Sequence, residues 1–397
     1  MIFGVLKDIK VGENRVICTP NEVRTIISHG HKVLAQSGCG ANAGFPDDKY
    51  EEAGALIVNT AQEIYHGCDM VAKVKEFEPE EFELIREDQI LLGCIHPAGH
   101  PEEVDALLKS KCISITAEDS HRFGSPNCEA AGKQGALFGL ESMLTIHGGK
   151  GKYIGGFAGA PGANVLILGA GLVGQSALEV LYALGANCTV MDVQIGVLRQ
   201  VMKQYQSKVN TMFCTQETIR SVLPQTDIVY NCVKWPKHRK DFLITKEMLK
   251  LMEPGSVLVD ISNDEPGAIE SSHSTTHEDP RYLANGVVHY CVSNIPGAVA
   301  HSTSISYAAQ MMPLILGVLD QGIEKTAQAD GFYRRSLTTY KGYLTHEETS
   351  SIQGKPWIQP EVVLGIEGER LDTAPPATNS KSTNYIKLER AEENGSN

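Results

Sequence analysis

The stretch Asn164-Val-Leu-Ile-Leu-Gly-Ala-Gly-Leu-Val-Gly174 constrains this chain more than any other. A short apolar run leads into GxGxxG, and an apolar helical pattern follows. In this order the first glycine permits a tight turn, the second lets backbone approach a pyrophosphate, and the third lets a helix pack close to its strand. The helix start then offers unpaired N–H groups and a positive dipole end to an anion. A lone GxGxxG is weak, because glycines punctuate many turns. Here a second strand pattern, Asn187-Cys-Thr-Val-Met-Asp192, ends in a carboxylate 23 positions after Gly169. That is near the offset of about 20 at which an acid meets an adenosine ribose. An acid there disfavours a 2′-phosphate, so the expected cofactor is NAD. The competing reading is a structural turn in which Asp192 caps the next helix. Gly169, Gly171, Leu172, Val173, Gly174 and Asp192 are therefore the cofactor-binding candidates, joined by Val233 at the end of another strand candidate and by Asn294.

The βα rhythm around this loop extends over most of the chain. Apolar runs at Phe3–Leu6, His31–Gln36, Ile57–Val58, Met70–Val74, Ile90–Cys94 and Ile113–Ile115 alternate with helical patterns such as Pro20–His29 and Pro101–Ser110. A helical pattern over about 128–146 leads to the second series: Asn164–Gly169, Asn187–Asp192, Asp227–Val233, Val257–Ile261 and Val287–Val292. Such alternation predicts α/β architecture with largely parallel sheets. At 397 residues two domains are expected, since cores cluster at about 100–150 residues. The helix pattern 302–321 follows the closing of the second series and could return to the first domain. The expected organisation is two Rossmann-like domains: a substrate domain from 1–133 and 299–370, and a central NAD-binding domain over 134–298. The proline-bearing polar stretch 371–397 reads as a disordered tail.

A net charge of −13 without a long Lys/Arg run argues against nucleic acid and anionic membrane as partners. The ten cysteines are scattered, with no CxxC pair and no ligand spacing for a metal. They read as buried thiols of a reducing compartment. The longest apolar stretch, around 165–187, is interrupted by Gln175 and Glu179, and no signal-peptide h-region follows Met1. A cytoplasmic location is expected.

Hydride chemistry needs a group to hold a substrate and an acid–base group near neutral pH. His96, just after an apolar strand, has an ordinary pKa of about 6.5 that suits proton transfer, although an isolated histidine can be purely structural. Asp264 follows the run Val257–Asn263, with Asp260 as its competitor. Lys75 and Arg15 could grip a carboxylate, or could be ordinary surface cations.

Several stretches together resemble the alanine dehydrogenase and transhydrogenase α-subunit family: Lys7–Pro20, Val74-Lys-Glu76, His96, Glu129–Lys133, Pro254–Asp260, Thr275–Pro280 and His289–Val299. The likeness runs in order over roughly residues 1–321. It implies that Arg15 and Lys75 bind the substrate carboxylate, that His96 is the acid–base group, and that Asp264 positions or deprotonates the attacking water or amine. It also implies a small amino acid or 2-oxo acid as substrate, hydride transfer between NAD and its Cα, and assembly into a homo-oligomer. Departures occur at Cys94-Ile-His-Pro-Ala-Gly99, Asp264-Glu-Pro-Gly267, Ala300–Thr303 and Lys234–Lys240. The first of these, with Ile269–Thr275, is similar to N5-(carboxyethyl)ornithine synthase, so an opine-type reductive coupling of a 2-oxo acid to an amino acid is an alternative. A non-catalytic NAD-binding sensor is a further one. A proton-pumping transhydrogenase subunit would share the fold, but neither its membrane partner domain nor its Arg-Ala-Gln loop is present in the sequence.

Overall fold

The computed structural model describes residues 1–236, 239–263, 267–378 and 380–386. The chain divides into two units, one of Met1–Phe123 with the segment from Ser304 onward, the other of Gly124–Thr303. In the first unit, β1 (Ile2–Val5), β2 (Lys32–Gln36), β3 (Leu56–Val58), β4 (Met70–Ala72), β5 (Ile90–Gly93) and β6 (Ile113–Thr116) run parallel. The central strands β4 and β5 are buried along their whole length, which is why they read as unbroken apolar runs. The crossovers begin with strong local signals. Thr19 and Glu22 form a capping box on the helix Pro20–Ser28, and Thr60 and Glu63 form another on Ala61–Gly67. Each satisfies two N–H groups that a helix start otherwise leaves open. Leu6, Ile64, Tyr65, Val71, Leu91 and Leu107 pack together beneath the sheet.

The second unit holds β7 (Asn164–Leu168), β8 (Asn187–Asp192), β9 (Asn210–Phe213), β10 (Ile228–Asn231), β11 (Val257–Asp260), β12 (Arg281–Ala284) and β13 (Val287–Tyr290). They lie in the order β12-β13-β11-β10-β7-β8-β9, parallel except for β12. The helix Pro126–Ser142 belongs to this unit. Gly139 lets it lie on Tyr230, whose hydroxyl donates to the Ala136 carbonyl at 2.8 Å. A Cβ on Gly132 would come within 2.2 Å of the Val173 carbonyl oxygen. A boundary at 133/134 would cut this helix in two; the division falls instead at 123/124, and on the far side at 303/304 rather than 298/299.

The first unit is completed from the C-terminal segment. β14 (Leu337–Tyr340) lies antiparallel to β6, and β15 (Tyr343–Leu344) is paired to β14. The sheet order is β15-β14-β6-β5-β4-β1-β2-β3. Lys341 and Gly342, both with positive φ, make the two-residue turn that suits the twist of a hairpin. The expected disordered tail is corrected over its described part. Asp372 accepts from the Arg122 guanidinium at 2.7 Å and from Gly331 N–H at 2.9 Å. Residues 384–386 add a bridge to Trp357, whose N–H donates to the Asn384 carbonyl and whose carbonyl accepts from Ile386 N–H. Polar composition did not prevent ordering here, because Arg122, Arg334, Arg335 and backbone groups of the first unit supply the partners. The remainder of that expected tail, 387–397, and position 379 lie outside the described residues.

By length and composition, Ile295–Gln321 is apolar enough to cross a membrane, and half of its most apolar window is buried inside the protein. Tyr307, Met311, Ile315 and Val318 are each at most 1% exposed. Their three- and four-residue spacing gives one face committed to protein packing.

Candidate active site

In the second unit the strand order reverses at β7, between β8 and β10, where open α/β sheets bind ligands beyond the strand carboxyl ends. Gly169 turns there with φ +88°, and a Cβ on Gly174 would sit 1.9 Å from the Gly169 carbonyl oxygen. Strand and helix can therefore approach only through glycine. Gly171 is different: a Cβ on it would meet nothing within 4 Å, and it precedes the helix Leu172–Ala183 without any side-chain cap. Exposed backbone, open space and uncapped N–H groups are what a pyrophosphate needs, so this loop fits a dinucleotide. Asp192 ends β8 beside it. Its Oδ2 accepts from Ala170 N–H at 2.7 Å and its Oδ1 from Gln194 N–H at 2.8 Å. The carboxylate thus braces the glycine loop and also holds the segment entering the next helix.

Leu172 is 40% exposed, whereas Val173 packs against the unit's core, so any role of Val173 at a phosphate is through its backbone. Val233 follows β10, and its Cγ2 would lie 3.1 Å from a Cβ on Gly169, which sets it on the loop's flank. Asn294 is buried at the start of the turn Ile295–Val299, and its carbonyl accepts from His277 Nε2 at 2.9 Å. Asp260, the competitor of Asp264, is fully buried; its Oδ1 accepts from Asn231 Nδ2 and from Asn263 N–H. That is a strand-end brace. Asp264 lies outside the described residues, as do Lys237 and His238 of the cationic stretch 234–240.

The first unit gathers charge at the carboxyl ends of its strands. Lys75 follows β4, His96 follows β5 and Glu118 follows β6, while Arg15 comes from the loop after β1. Arg15 is 4% exposed, and its guanidinium donates to both carboxylate oxygens of Glu13. Burial alone would weaken that cation, but Glu13 holds its pKa above the ordinary value. Glu76 is the hub. Its Oε1 lies 3.0 Å from His96 Nδ1 and 4.0 Å from Lys75 Nζ, and its Oε2 lies 2.6 Å from Lys10 Nζ. Burial pushes its carboxyl up, and His96, Lys75 and Lys10 overcome that and hold it well below the usual carboxylate range.

His96 adopts a left-handed backbone at φ 42°, a conformation that costs of order 1 kcal/mol or more outside glycine and persists only where neighbours impose it. Glu118 Oε1 accepts from its N–H at 2.7 Å. Desolvation pulls the imidazole pKa down, while the Glu118 charge and the Glu76 hydrogen bond pull it up and prevail, leaving it above 6.5. With Nδ1 facing a carboxylate, the proton sits on Nδ1 in the neutral ring, and Nε2 is the atom left for exchange. The side chain is 46% exposed. Beneath it, Cys94 Sγ lies 3.1 Å from the Tyr307 hydroxyl, and burial raises this thiol to about 12.

Arg15, Lys75 and His96 are thus brought into one cluster with Glu13, Glu76 and Glu118. These three acids were not among the sequence candidates. The only available signal was adjacency, Glu13 two residues before Arg15 and Glu76 directly after Lys75, and adjacency does not reveal which way a carboxylate turns.

Comparisons with known proteins agree with this architecture. Residues 4–125 match the model of the alanine dehydrogenase/PNT N-terminal domain, and residues 136–347 that of the C-terminal domain. An alanine dehydrogenase of Methanococcus maripaludis is 34% identical over 92% of this chain and 100% of its own length. One from Bacillus subtilis is 35% identical over 92% and 98%. A solved L-alanine dehydrogenase superposes with a TM-score of 0.83 at 31% identity, covering 89% of this chain and 99% of that one. A transhydrogenase from Sinorhizobium meliloti, at 22% identity and a TM-score of 0.70, shares the fold. The glycine loop with its braced acid, the charged strand ends and these matches lead to one conclusion: the chain belongs to the alanine dehydrogenase/PNT family and is an NAD-dependent amino-acid dehydrogenase.

Proposed function

We propose that this protein interconverts alanine with pyruvate and ammonia, with Arg15 and Lys75 binding the substrate carboxylate and His96 exchanging the proton. The observation that carries this reading is the His96–Glu76 contact at 3.0 Å, within a cluster that also holds Lys75. NAD, when bound, supplies the hydride acceptor. The glycine loop Gly169–Gly174 would hold its pyrophosphate, Asp192 its ribose hydroxyls, and Val233 and Asn294 would flank it.

Glu76 presets the imidazole so that Nε2 can take a proton from the amine or from the water that opens an imino acid. Asp264 would orient that water. Glu13 already occupies part of the Arg15 fork, so the substrate carboxylate would share this cation with Glu13 and take Lys75 as its second partner. Such a pairing positions the reacting carbon without leaving Arg15 unpaired when the substrate departs. The family relatives named for alanine support this choice of substrate over a larger one. The ten free cysteines support a reducing, cytoplasmic setting, and we read the active form as a homo-oligomer, for which light scattering is the test.

The experiment is NAD reduction with each proteinogenic amino acid and ornithine, run beside NADH oxidation with pyruvate and either ammonia or ornithine. Turnover of alanine, and of pyruvate with ammonia alone, is the expected result. Turnover only when pyruvate and ornithine are both present would replace it with an opine-type coupling, and NAD binding without any turnover would make the chain a sensor.

A further inference from the structure

His96 enters the turn Pro97–Gly99 in a backbone conformation that its own sequence opposes. A φ of 42° is unfavourable outside glycine, and the proline that follows favours extended backbone at the residue before it. Neighbours must impose such a conformation. Within the turn, Gly99 N–H donates to the His96 carbonyl at 3.0 Å, and His100 Nδ1 lies 3.1 Å and 3.2 Å from the Ile95 and His96 carbonyl oxygens. Glu118 takes the His96 N–H.

Further support comes from far along the chain. The helix Glu347–Gln353 meets the neighbours of both partners in the His96–Glu118 hydrogen bond. At its C-terminal end, Gln353 Nε2 donates to the Pro97 carbonyl at 2.7 Å, with the Ala98 carbonyl at 3.4 Å. Two residues on, Lys355 donates to the Pro101 carbonyl at 3.3 Å and pairs with Asp105. At its N-terminal end, the capping residue His346 sets Nε2 2.9 Å from Oδ2 of Asp119, the residue after Glu118, and Nδ1 2.8 Å from the Thr349 hydroxyl. Arg335 Nε donates to the Asp119 carbonyl at 2.7 Å. His346 and Asp119 are 4% and 8% exposed. Desolvation pulls the His346 imidazole down, and the hydrogen bond and charge of Asp119 override it. A buried pair of this kind holds its geometry firmly, because losing either partner strands the other.

We propose that the helix Glu347–Gln353 is a clamp on the acid–base group, with Gln353 and His346 as positioning residues that keep the His96 backbone against Glu118 and its ring against Glu76. One short helix fixes the residue after His96 at one end and the residue after Glu118 at the other, so neither partner can shift alone. Its effect on turnover rests on the acid–base role given to His96 above; its effect on the ring itself does not. The titratable groups that face His96 are Glu76, Lys75, Glu118 and His100. Gln353 carries no charge, so replacing it alters position and leaves those charges in place.

The test follows the rate at which diethylpyrocarbonate modifies His96 in the full-length protein between about pH 5 and pH 8, read by peptide mass spectrometry; the neutral ring is the reactive form, so the midpoint reports its proton affinity. The variants are Gln353→Met, His346→Leu and His346→Gln, the last keeping an N–H for Asp119. In Gln353→Met and His346→Leu the midpoint is expected to fall by about half a pH unit, because the ring loses its close approach to the carboxylates that hold its pKa up. Turnover of alanine should fall about tenfold in both, with KM for alanine and NAD affinity within about twofold. His346→Gln should keep the midpoint and kcat of the unsubstituted protein. Gln353 is half-buried, so Gln353→Met is expected to fold and decides the matter even if His346→Leu does not. An unchanged midpoint in Gln353→Met overturns the proposal, as does a midpoint that falls as far in His346→Gln as in His346→Leu. A lowered midpoint with undiminished kcat, in a protein that His96→Ala inactivates, overturns it too. Undiminished turnover in His96→Ala would remove the acid–base role of His96, and the modification midpoint would still decide whether the clamp exists.

Discussion

The nucleotide loop of the second unit and the charged cluster of the first both sit at strand carboxyl ends, yet they are built in opposite ways. The loop is local: six consecutive residues and an acid one strand later, with recognition carried by backbone N–H groups that glycine exposes. The cluster is non-local: Arg15, Lys75, His96 and Glu118 leave four different strand ends, and its cations meet carboxylates, Arg15 on Glu13 and both Lys75 and His96 on Glu76. A backbone site depends on what is missing at Cβ. A side-chain site depends on which partner each charge finds. The first is therefore expected to fail by steric substitution and the second by electrostatic imbalance, and experiments can separate the two.

The largest effect is expected at the charged cluster. His96→Ala should lower turnover by roughly 10²–10⁴, the usual worth of a positioned acid–base group, while NAD affinity, measured by fluorescence titration, stays within twofold. Loss of NAD binding in parallel would erase the division of labour between the units.

The glycines come next, and they should not behave alike. Gly171→Ala meets no atom within 4 Å, so it should melt normally and lose about tenfold or more in NAD affinity, because the methyl enters the space a pyrophosphate needs. Gly174→Ala places a Cβ 1.9 Å from a carbonyl oxygen. Overpacking of that kind costs about 1–3 kcal/mol or more, so its melting temperature should drop by several degrees whether or not NAD is present. Equal melting temperatures for the two variants would contradict the geometry of the loop. Asp192→Ser should weaken NAD about 10–100-fold, the range for one hydrogen bond to a charged group, and should narrow the preference for NAD over NADP.

Smaller, and confined to the first unit, are two pH effects. The imidazole of His96 lies above 6.5 in part because Glu76 stabilises its protonated form. Removing that charge in Glu76→Gln favours the neutral ring, so the ascending limb of kcat/KM for amino-acid oxidation should move to lower pH, by roughly one unit. A limb that stays in place with lowered amplitude would mean that Glu76 has only a structural role. The second effect concerns Glu103, whose folded-state pKa is raised to about 9. A raised acid stabilises the fold below its unfolded pKa and loses that contribution as pH rises toward its folded one. Glu103→Gln does not titrate, so the melting temperature of the unsubstituted protein should fall relative to the variant by a few degrees between pH 5 and pH 9.

Much of the fold is legible before any coordinates, for reasons visible in particular segments. Parallel strands buried on both faces leave unbroken apolar runs, so Met70–Ala72, Ile90–Gly93 and Val257–Asp260 stand out in the sequence. The helix Pro101–Ser110 has the predicted ends, since Pro101 at its start and left-handed Lys111 at its close are local signals. The strands at or next to a sheet edge, β9, β12, β14 and β15, are not legible in this way. Their side chains are half polar, as in Asn210–Phe213 and Leu337–Tyr340, and they become strands because a neighbouring strand offers its free edge. The ordering of 371–386 has the same origin: Asp372 is held by Arg122, far away in the chain, and composition carries no trace of that partner.

By itself the sequence determined the βα rhythm, the glycine loop, the acid that follows it and the family to which they belong, because each rests on spacing within a few dozen residues. Tertiary structure alone decided the pairing of Arg15 with Glu13, the orientation of His96 by Glu76 and the brace role of Asp260. These depend on the direction a side chain takes at the end of a strand and on the charge it meets there. Both are products of packing over long separations, and electrostatics in a poorly hydrated interior turns those small differences in direction into different proton affinities.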